Sequence, residues 1–146
     1  MKDVSSLMQT RLTTAHIAFL NSVAEVATHN KVSVYVVGGF VRDLLLNIKN
    51  VDIDLVVEGD GIVFAEKLAE KFDGRTTSYK KFGTSTLTLE GQPDIDVATA
   101  RTEHYPHPAA LPEVEPSTIK LDLARRDFTI NSMAIKLSGQ GMFFLI

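Results

Sequence analysis

Two stretches of this chain open a strand-like alternation with the same three residues. Asp52-Ile53-Asp54 leads into Leu55-Val56-Val57, and Asp94-Ile95-Asp96 leads into Val97-Ala98. Side chains along a strand alternate between faces, so Asp52, Asp54 and Val56 share one face while Ile53, Leu55 and Val57 share the other. Such strands belong in a sheet with one packed face and one wet or ligand-bearing face. The run from Thr84 to Leu89 fits the same sheet, with Thr84, Thr86 and Thr88 set against Ser85, Leu87 and Leu89.

Around these strands the period changes. Ile17, Leu20, Val23, Ala24 and Ala27 recur at three- and four-residue spacing, which predicts an amphipathic helix over Thr13 to Thr28, stopped near Asn30. Ser33 to Val37 reads as a strand ending at Gly38-Gly39, followed by a short helix over Val41 to Leu46. Gly59-Asp60-Gly61 breaks the Asp52 to Val57 strand, and Asp60 can cap a second helix over Ile62 to Phe72 with Gly74 as its stop. Arg75 to Tyr79, Thr84 to Leu89 and Asp94 to Ala98 read as further strands, with a hairpin turn at Gly91-Gln92-Pro93. From Arg101 to Ser117 periodicity is lost among Pro106, Pro108, Pro112 and Pro116, which predicts a long irregular loop. Helix returns over Leu121 to Ala134, then a strand at Ile135 to Leu137. Helices segregated from a sheet with hairpin connections make the expected fold α+β rather than doubly wound.

At 146 residues and 45% hydrophobic content, the chain can bury a core and is not a disordered tract. It has no cysteine, which excludes disulfides, thiolate metal sites and a cysteine nucleophile. Met1 to Arg11 lacks the apolar core of a signal peptide, and no run approaches the ~20 apolar residues of a membrane span. A cytoplasmic protein with no membrane partner is expected. The apolar end, Gly141-Met142-Phe143-Phe144-Leu145-Ile146, suggests a piece of a longer chain, a docked terminal strand being the alternative. Taken alone, the net charge of −3 speaks against a nucleic-acid partner.

Four features carry chemistry. At Gly38-Gly39, between strand and helix, backbone N–H groups can approach an anion, and Arg42 can reach the same phosphate. A tight strand-to-helix turn is the alternative. Asp52 and Asp54, about 6.5 Å apart on one face, would repel by roughly 2.5 kcal/mol at an effective dielectric of 20. If half-buried they need a cation, and hard carboxylate oxygens suit Mg²⁺ or Mn²⁺; a solvated polar face needs none. Asp96 can join them if its strand is a neighbour, whereas Asp94 sits by the turn. Three carboxylates can hold two metal ions, the arrangement that clamps the attacking and leaving oxygens of a phosphoryl displacement. The fourth feature is Arg125-Arg126-Asp127, with Phe128, Ile130 and Met133 as core; a solvated arginine pair beside a cap is its alternative. His104 and His107 are separated by prolines rather than by a helix and do not read as a metal pair. Lys80-Lys81 reads as a solvated turn, a phosphate contact being the alternative.

Taken in order, Gly38-Gly39-Phe40-Val41-Arg42-Asp43, Asp52-Ile53-Asp54, Asp96 and Arg125-Arg126-Asp127-Phe128-Thr129-Ile130-Asn131-Ser132-Met133-Ala134 resemble the catalytic head domain of class II tRNA nucleotidyltransferases (CCA-adding enzymes) and bacterial poly(A) polymerases. The resemblance runs from about Tyr35 to Leu137. It implies a DNA polymerase beta-like palm, with a mixed or antiparallel sheet and helices mainly on one face. It implies transfer of nucleotidyl groups from ATP or CTP to the 3′ end of tRNA or other RNA. Asp52, Asp54 and Asp96 would be the catalytic metal ligands for two Mg²⁺ ions, with Mn²⁺ a substitute. Gly38, Gly39, Arg42, Arg126, Asp127 and Asn131 would bind or support the nucleotide. Ser132 stands where the family often has alanine.

The family's neck, body and tail domains do not fit in 146 residues, so residues 1–146 are expected to be the head of a longer enzyme and weakly active or inactive alone. Two bound divalent ions would turn the charge from −3 to +1, so the acidic balance does not exclude RNA. The rival readings are a nucleotidyltransferase acting on a small molecule or protein, and a non-catalytic nucleotide-binding module.

Overall fold

Among the described residues eight strands form one sheet in the order β1 (Lys2–Asp3), β10 (Met142–Leu145), β9 (Ala134–Gly139), β2 (Ser33–Val37), β3 (Asp54–Glu58), β6 (Ile95–Thr99), β5 (Thr84–Thr88) and β4 (Arg75–Tyr79), with only the β3–β6 pair parallel. The structure is a computed structural model that describes residues 2–49, 52–104, 113–125 and 132–146. Its elements are β1 (Lys2–Asp3), α1 (Ser5–Arg11), α2 (Thr14–His29), β2 (Ser33–Val37), α3 (Gly39–Leu45), β3 (Asp54–Glu58), α4 (Gly61–Phe72), β4 (Arg75–Tyr79), β5 (Thr84–Thr88), β6 (Ile95–Thr99), β7 (Arg101–His104), β8 (Glu113–Pro116), α5 (Ile119–Ala124), β9 (Ala134–Gly139) and β10 (Met142–Leu145). The fold is α+β, as expected.

Strand alternation decides which side is core. Val34 and Val36 of β2, Leu55 and Val57 of β3, Leu87 of β5, and Ile95 and Val97 of β6 are buried in the main core cluster. Leu20, Val23, Ala24 and Ala27 of α2 and Phe64, Ala65 and Leu68 of α4 fill that cluster from the helical side. Each large side chain removed from water in this way contributes about 1.5–3 kcal/mol. The intervening residues Tyr35, Val37 and Val56 belong to a smaller cluster with Ala100, Ala134, and Ile119 and Leu123 of α5. Helix α5 thus sits on the opposite face, beside the aspartates.

Local signals set the helix ends. The Thr13 side chain accepts from the His16 N–H, and Asp60 accepts from Ile62 and Val63 at 3.0 and 3.1 Å. Gly61 opens α4 because a Cβ there would lie 2.7 Å from the Thr99 nitrogen, while its own N–H donates to Thr99 Oγ1 at 2.9 Å. That close approach seats α4 on β6.

Several expectations change. Helix α3 starts at Gly39 rather than Val41, because Gly38 turns the chain directly into it. Strand β3 starts at Asp54 rather than Asp52, since the β2 ladder ends where Val37 faces Asp54. The irregular loop expected over Arg101 to Ser117 is overturned at its two ends, where β7 and β8 pair antiparallel, Arg101 opposite Pro116 and His104 opposite Glu113; residues 105–112 lie outside the described residues. Pro106, Pro108 and Pro112 fall between the two strands in sequence, and Pro116 falls at the end of the ladder, where a missing donor costs least. Of the helix expected over Leu121 to Ala134, the described residues show α5 over Ile119–Ala124, and Ala134 is the first residue of β9, paired with Val37; residues 126–131 lie outside the described residues. The apolar end forms β10, paired with β9 on one side and β1 on the other. Helix α1 and the short β1 carried no periodic signal. Among the described residues no helix is long and apolar enough to cross a membrane.

Candidate functional site

The site forms where three strand ends meet on the face opposite α2 and α4. Asp54 is the first residue of β3 and lies in register with Asp96 on the neighbouring parallel strand β6. Adjacent strands are about 4.8 Å apart, so the two carboxylates start from a common row. Asp52 is exposed and sits two residues before β3. Asp96 is exposed as well, and the Thr86 hydroxyl donates to its Oδ1 at 3.2 Å from the facing position on β5. Asp94, at the turn, instead accepts from Thr88 at 3.2 Å.

Gly38 borders this row from β2. Its φ of +75° and ψ of −142° form a conformation open in practice only to glycine, which swings the chain from strand into α3 within one residue. A Cβ there would stand 3.7 Å from Asp54 Oδ2, so the missing side chain leaves a cradle beside the carboxylate. One turn later, Arg42 Nε donates to Asp43 Oδ1 at 2.9 Å, and that hydrogen bond raises the already high Arg42 pKa. Asp43 is buried, so the guanidinium is steered by a fixed acceptor. Sequence reading placed Asp43 in the Gly38-to-Asp43 motif but gave it no role, because an acid next to an arginine on a short helix looks solvated.

Two more carboxylates, the half-buried Glu58 and the buried Asp122, hold α5 over this face. Glu58 ends β3, where its Oε1 accepts from the Tyr35 hydroxyl at 2.7 Å and its Oε2 from the Ile119 N–H at 2.9 Å. Burial and the neighbouring Glu58 carboxylate push the Tyr35 phenol well above its usual pKa. Asp122, 1% exposed, accepts from the Arg101 N–H at 2.9 Å and from Arg125 Nη2 at 3.5 Å. Neither acid was singled out in the sequence, because Glu58 acts through Tyr35 and Ile119, and Asp122 through the Arg101 amide, all distant along the chain. Arg126, Asp127 and Asn131, expected to contact nucleotide, lie outside the described residues, as does His107.

The donor set suits a hard divalent cation. It consists of carboxylate oxygens, in a chain without cysteine. Among the described residues no three His, Asp or Glu side chains gather into a closed metal cage. Mg²⁺ seldom requires one, being held by one or two carboxylates together with substrate phosphates. Asp54 and Asp96, in register beside the Gly38 cradle, are the residues that would form that open kind of site.

A mixed sheet with paired aspartates, a glycine turn into a helix and an arginine on its first turn is the frame of a nucleotidyltransferase head domain. The model of the Poly A polymerase head domain family matches residues 34–144, and the chain belongs to that family. It is 47% identical over 145 residues to an A-adding tRNA nucleotidyltransferase of Geobacter sulfurreducens, covering 99% of this chain and 16% of the relative. A CCA-adding enzyme solved in complex with ATP superposes with a TM-score of 0.85 at 45% identity, covering 99% of this chain and 32% of that one. The Thermotoga maritima CCA-adding enzyme complexed with tRNA superposes with a TM-score of 0.83 at 43% identity, again covering 99% and 32%. The chain therefore spans a third or less of the length of these proteins.

Proposed function

We propose that this chain is the catalytic head of an RNA 3′-end nucleotidyltransferase that takes ATP, and CTP, as donors and the tRNA 3′ end as acceptor. The observation that carries this reading is Asp54 in register with Asp96 beside the Gly38 turn. The relatives' tRNA, ATP and tRNA-complex descriptions favour this acceptor over a small molecule or protein. The expected compartment is the cytoplasm.

The reaction is an in-line displacement. The RNA 3′-hydroxyl gives up its proton to a carboxylate of the aspartate row or to water, its oxygen bonds to the α-phosphorus of the nucleotide, the bond from that phosphorus to the oxygen bridging to the β-phosphate breaks, and pyrophosphate leaves. A direct displacement of this kind needs no enzyme nucleophile. Asp54 and Asp96, with Asp52 as a third carboxylate, would hold the divalent ions, with two Mg²⁺ expected. When bound, such ions lower the pKa of the attacking hydroxyl and neutralise charge on the leaving group. Thr86 keeps the Asp96 carboxylate oriented. Gly38 and Gly39 let the backbone approach the triphosphate, and Arg42, steered by Asp43, meets its charge. Arg126, Asp127 and Asn131 would complete the nucleotide contacts.

The test uses the full-length protein, labelled ATP or CTP, Mg²⁺ and tRNA truncated within its 3′-terminal CCA. Labelled tRNA extended by the missing nucleotides supports the reading. Labelling of another acceptor and not of RNA would overturn it.

A further inference from the structure

The pairing register places a second set of residues on the site's own face. Facing residues on antiparallel strands share a side, and Asp96 faces Thr86, which in turn faces Thr77. The rows on either side are Arg75–Thr88 and Tyr79–Thr84, with Ala98 completing the latter. Arg75, Thr77 and Tyr79 are exposed, the tyrosine to 52%. Helix α4 packs against β4, β5 and β6 from the other side, where Leu87, Ile95 and Val97 are buried. The result is a three-strand platform of hydroxyls, ending in an exposed aromatic ring. Lys80 and Lys81 follow that ring in the turn, and Lys81 Nζ stands 5.8 Å from the centre of the exposed Phe82 ring.

Position relative to the reaction assigns a direction to this platform. On the reading above, pyrophosphate leaves on the Gly38 and Arg42 side, which is the β2 side of the Asp54–Asp96 row. An in-line attack must come from the opposite side, and across the sheet that side is β5 and β4. We infer that the wet face of β4 and β5 carries the last nucleotides of the acceptor RNA, with Tyr79 stacking on a base and Arg75, Lys80 and Lys81 meeting the backbone. This rests on the proposed function. Two strand spacings across and two residues along place the Tyr79 Cα about 12 Å from that of Asp96, within reach of the nucleotides just behind the reacting 3′ end. A base can stack on an exposed ring without sequence preference, and threonine hydroxyls can bond to sugars and phosphates. The basic groups lie on the outer strand and turn, away from the aspartates, so charge is graded from metal-binding to phosphate-binding. A further part of the same polypeptide is the competing occupant of this face.

Initial rates of the full-length enzyme, measured against truncated tRNA and against ATP separately, test the assignment. Tyr79→Ala is expected to raise the KM for tRNA by at least about 5-fold, with Tyr79→Phe close to wild type and the ATP KM shifted by less than about twofold. Replacing Lys80 and Lys81 together by alanine should flatten the salt dependence of tRNA binding by about 1.4–1.8 in log–log slope. A tRNA KM unchanged in Tyr79→Ala would overturn the assignment while leaving the proposed function standing. A parallel rise in both KM values with a lowered Tm would show that protein covers this face, and would overturn it too. A wild-type enzyme that binds and extends no RNA would instead refute the proposed function beneath it.

Discussion

Replacing Glu58 should loosen α5 from the sheet, and the size of the effect follows from its two acceptor oxygens. Tyr35 is 4% exposed and Ile119 is 5% exposed, so water cannot readily replace an acceptor for either donor. In Glu58→Ala, the Ile119 amide loses its 2.9 Å bond and the Tyr35 hydroxyl its 2.7 Å bond. A buried donor without a partner costs about 1–3 kcal/mol, and the phenol keeps a weaker alternative in the Ser33 hydroxyl. The sum is about 2–4 kcal/mol. Glu58→Gln keeps one carbonyl oxygen but turns an NH₂ toward the other donor, so it should cost about 1–2 kcal/mol. For a chain of this length each kcal/mol lowers Tm by about 3 °C, which gives losses near 6–12 °C and 3–6 °C. Urea titration followed by circular dichroism, with Tm from the same samples, measures both. An alanine variant losing less than about 0.5 kcal/mol would refute the idea that Glu58 fastens α5. So would equal losses in both variants, since the argument depends on the number of acceptors retained.

Two further outcomes follow from single positions. Gly38→Ala forces a side chain onto a φ of +75° with ψ of −142°, at a cost of about 1–3 kcal/mol in stability, and narrows the space beside Asp54; a thermal melt and the ATP KM should both worsen. An unchanged melt would show that the turn relaxes without strain. The Tyr35 phenol is raised in the folded state, so its contribution to stability is complete below the unfolded value near pH 10 and falls as pH climbs above it toward the folded value. Tyr35→Phe should therefore flatten the stability loss measured between about pH 10 and 11.

Much of the site was legible because strand alternation is a strong local rule. It put Asp54 and Asp96 on one face, and Leu55 and Val97 on the other, before any contact was known. Their register as neighbours was not legible in that way, because α4, β4 and β5 intervene in sequence between β3 and β6. The β7–β8 pair was hidden by prolines, whose local signal outweighs four-residue strands that show only in their pairing. The roles of Asp43, Glu58 and Asp122 were also hidden. An acid reads as surface until the fold surrounds it with donors such as the Arg101 amide, which lies 21 positions from Asp122. Thr86 was seen as part of a wet row, but its bond to Asp96 needed the register.

The measurement that tests the central claim most directly is nucleotide incorporation into truncated tRNA by full-length protein bearing Asp54→Asn or Asp96→Asn. Each substitution keeps the side-chain size and removes a charge from the row that would hold the ions. The expected result is a loss of at least about 100-fold in kcat for either variant, with the circular dichroism spectrum retained. Incorporation at the wild-type rate in both variants would contradict the claim that this aspartate row is where nucleotidyl transfer takes place.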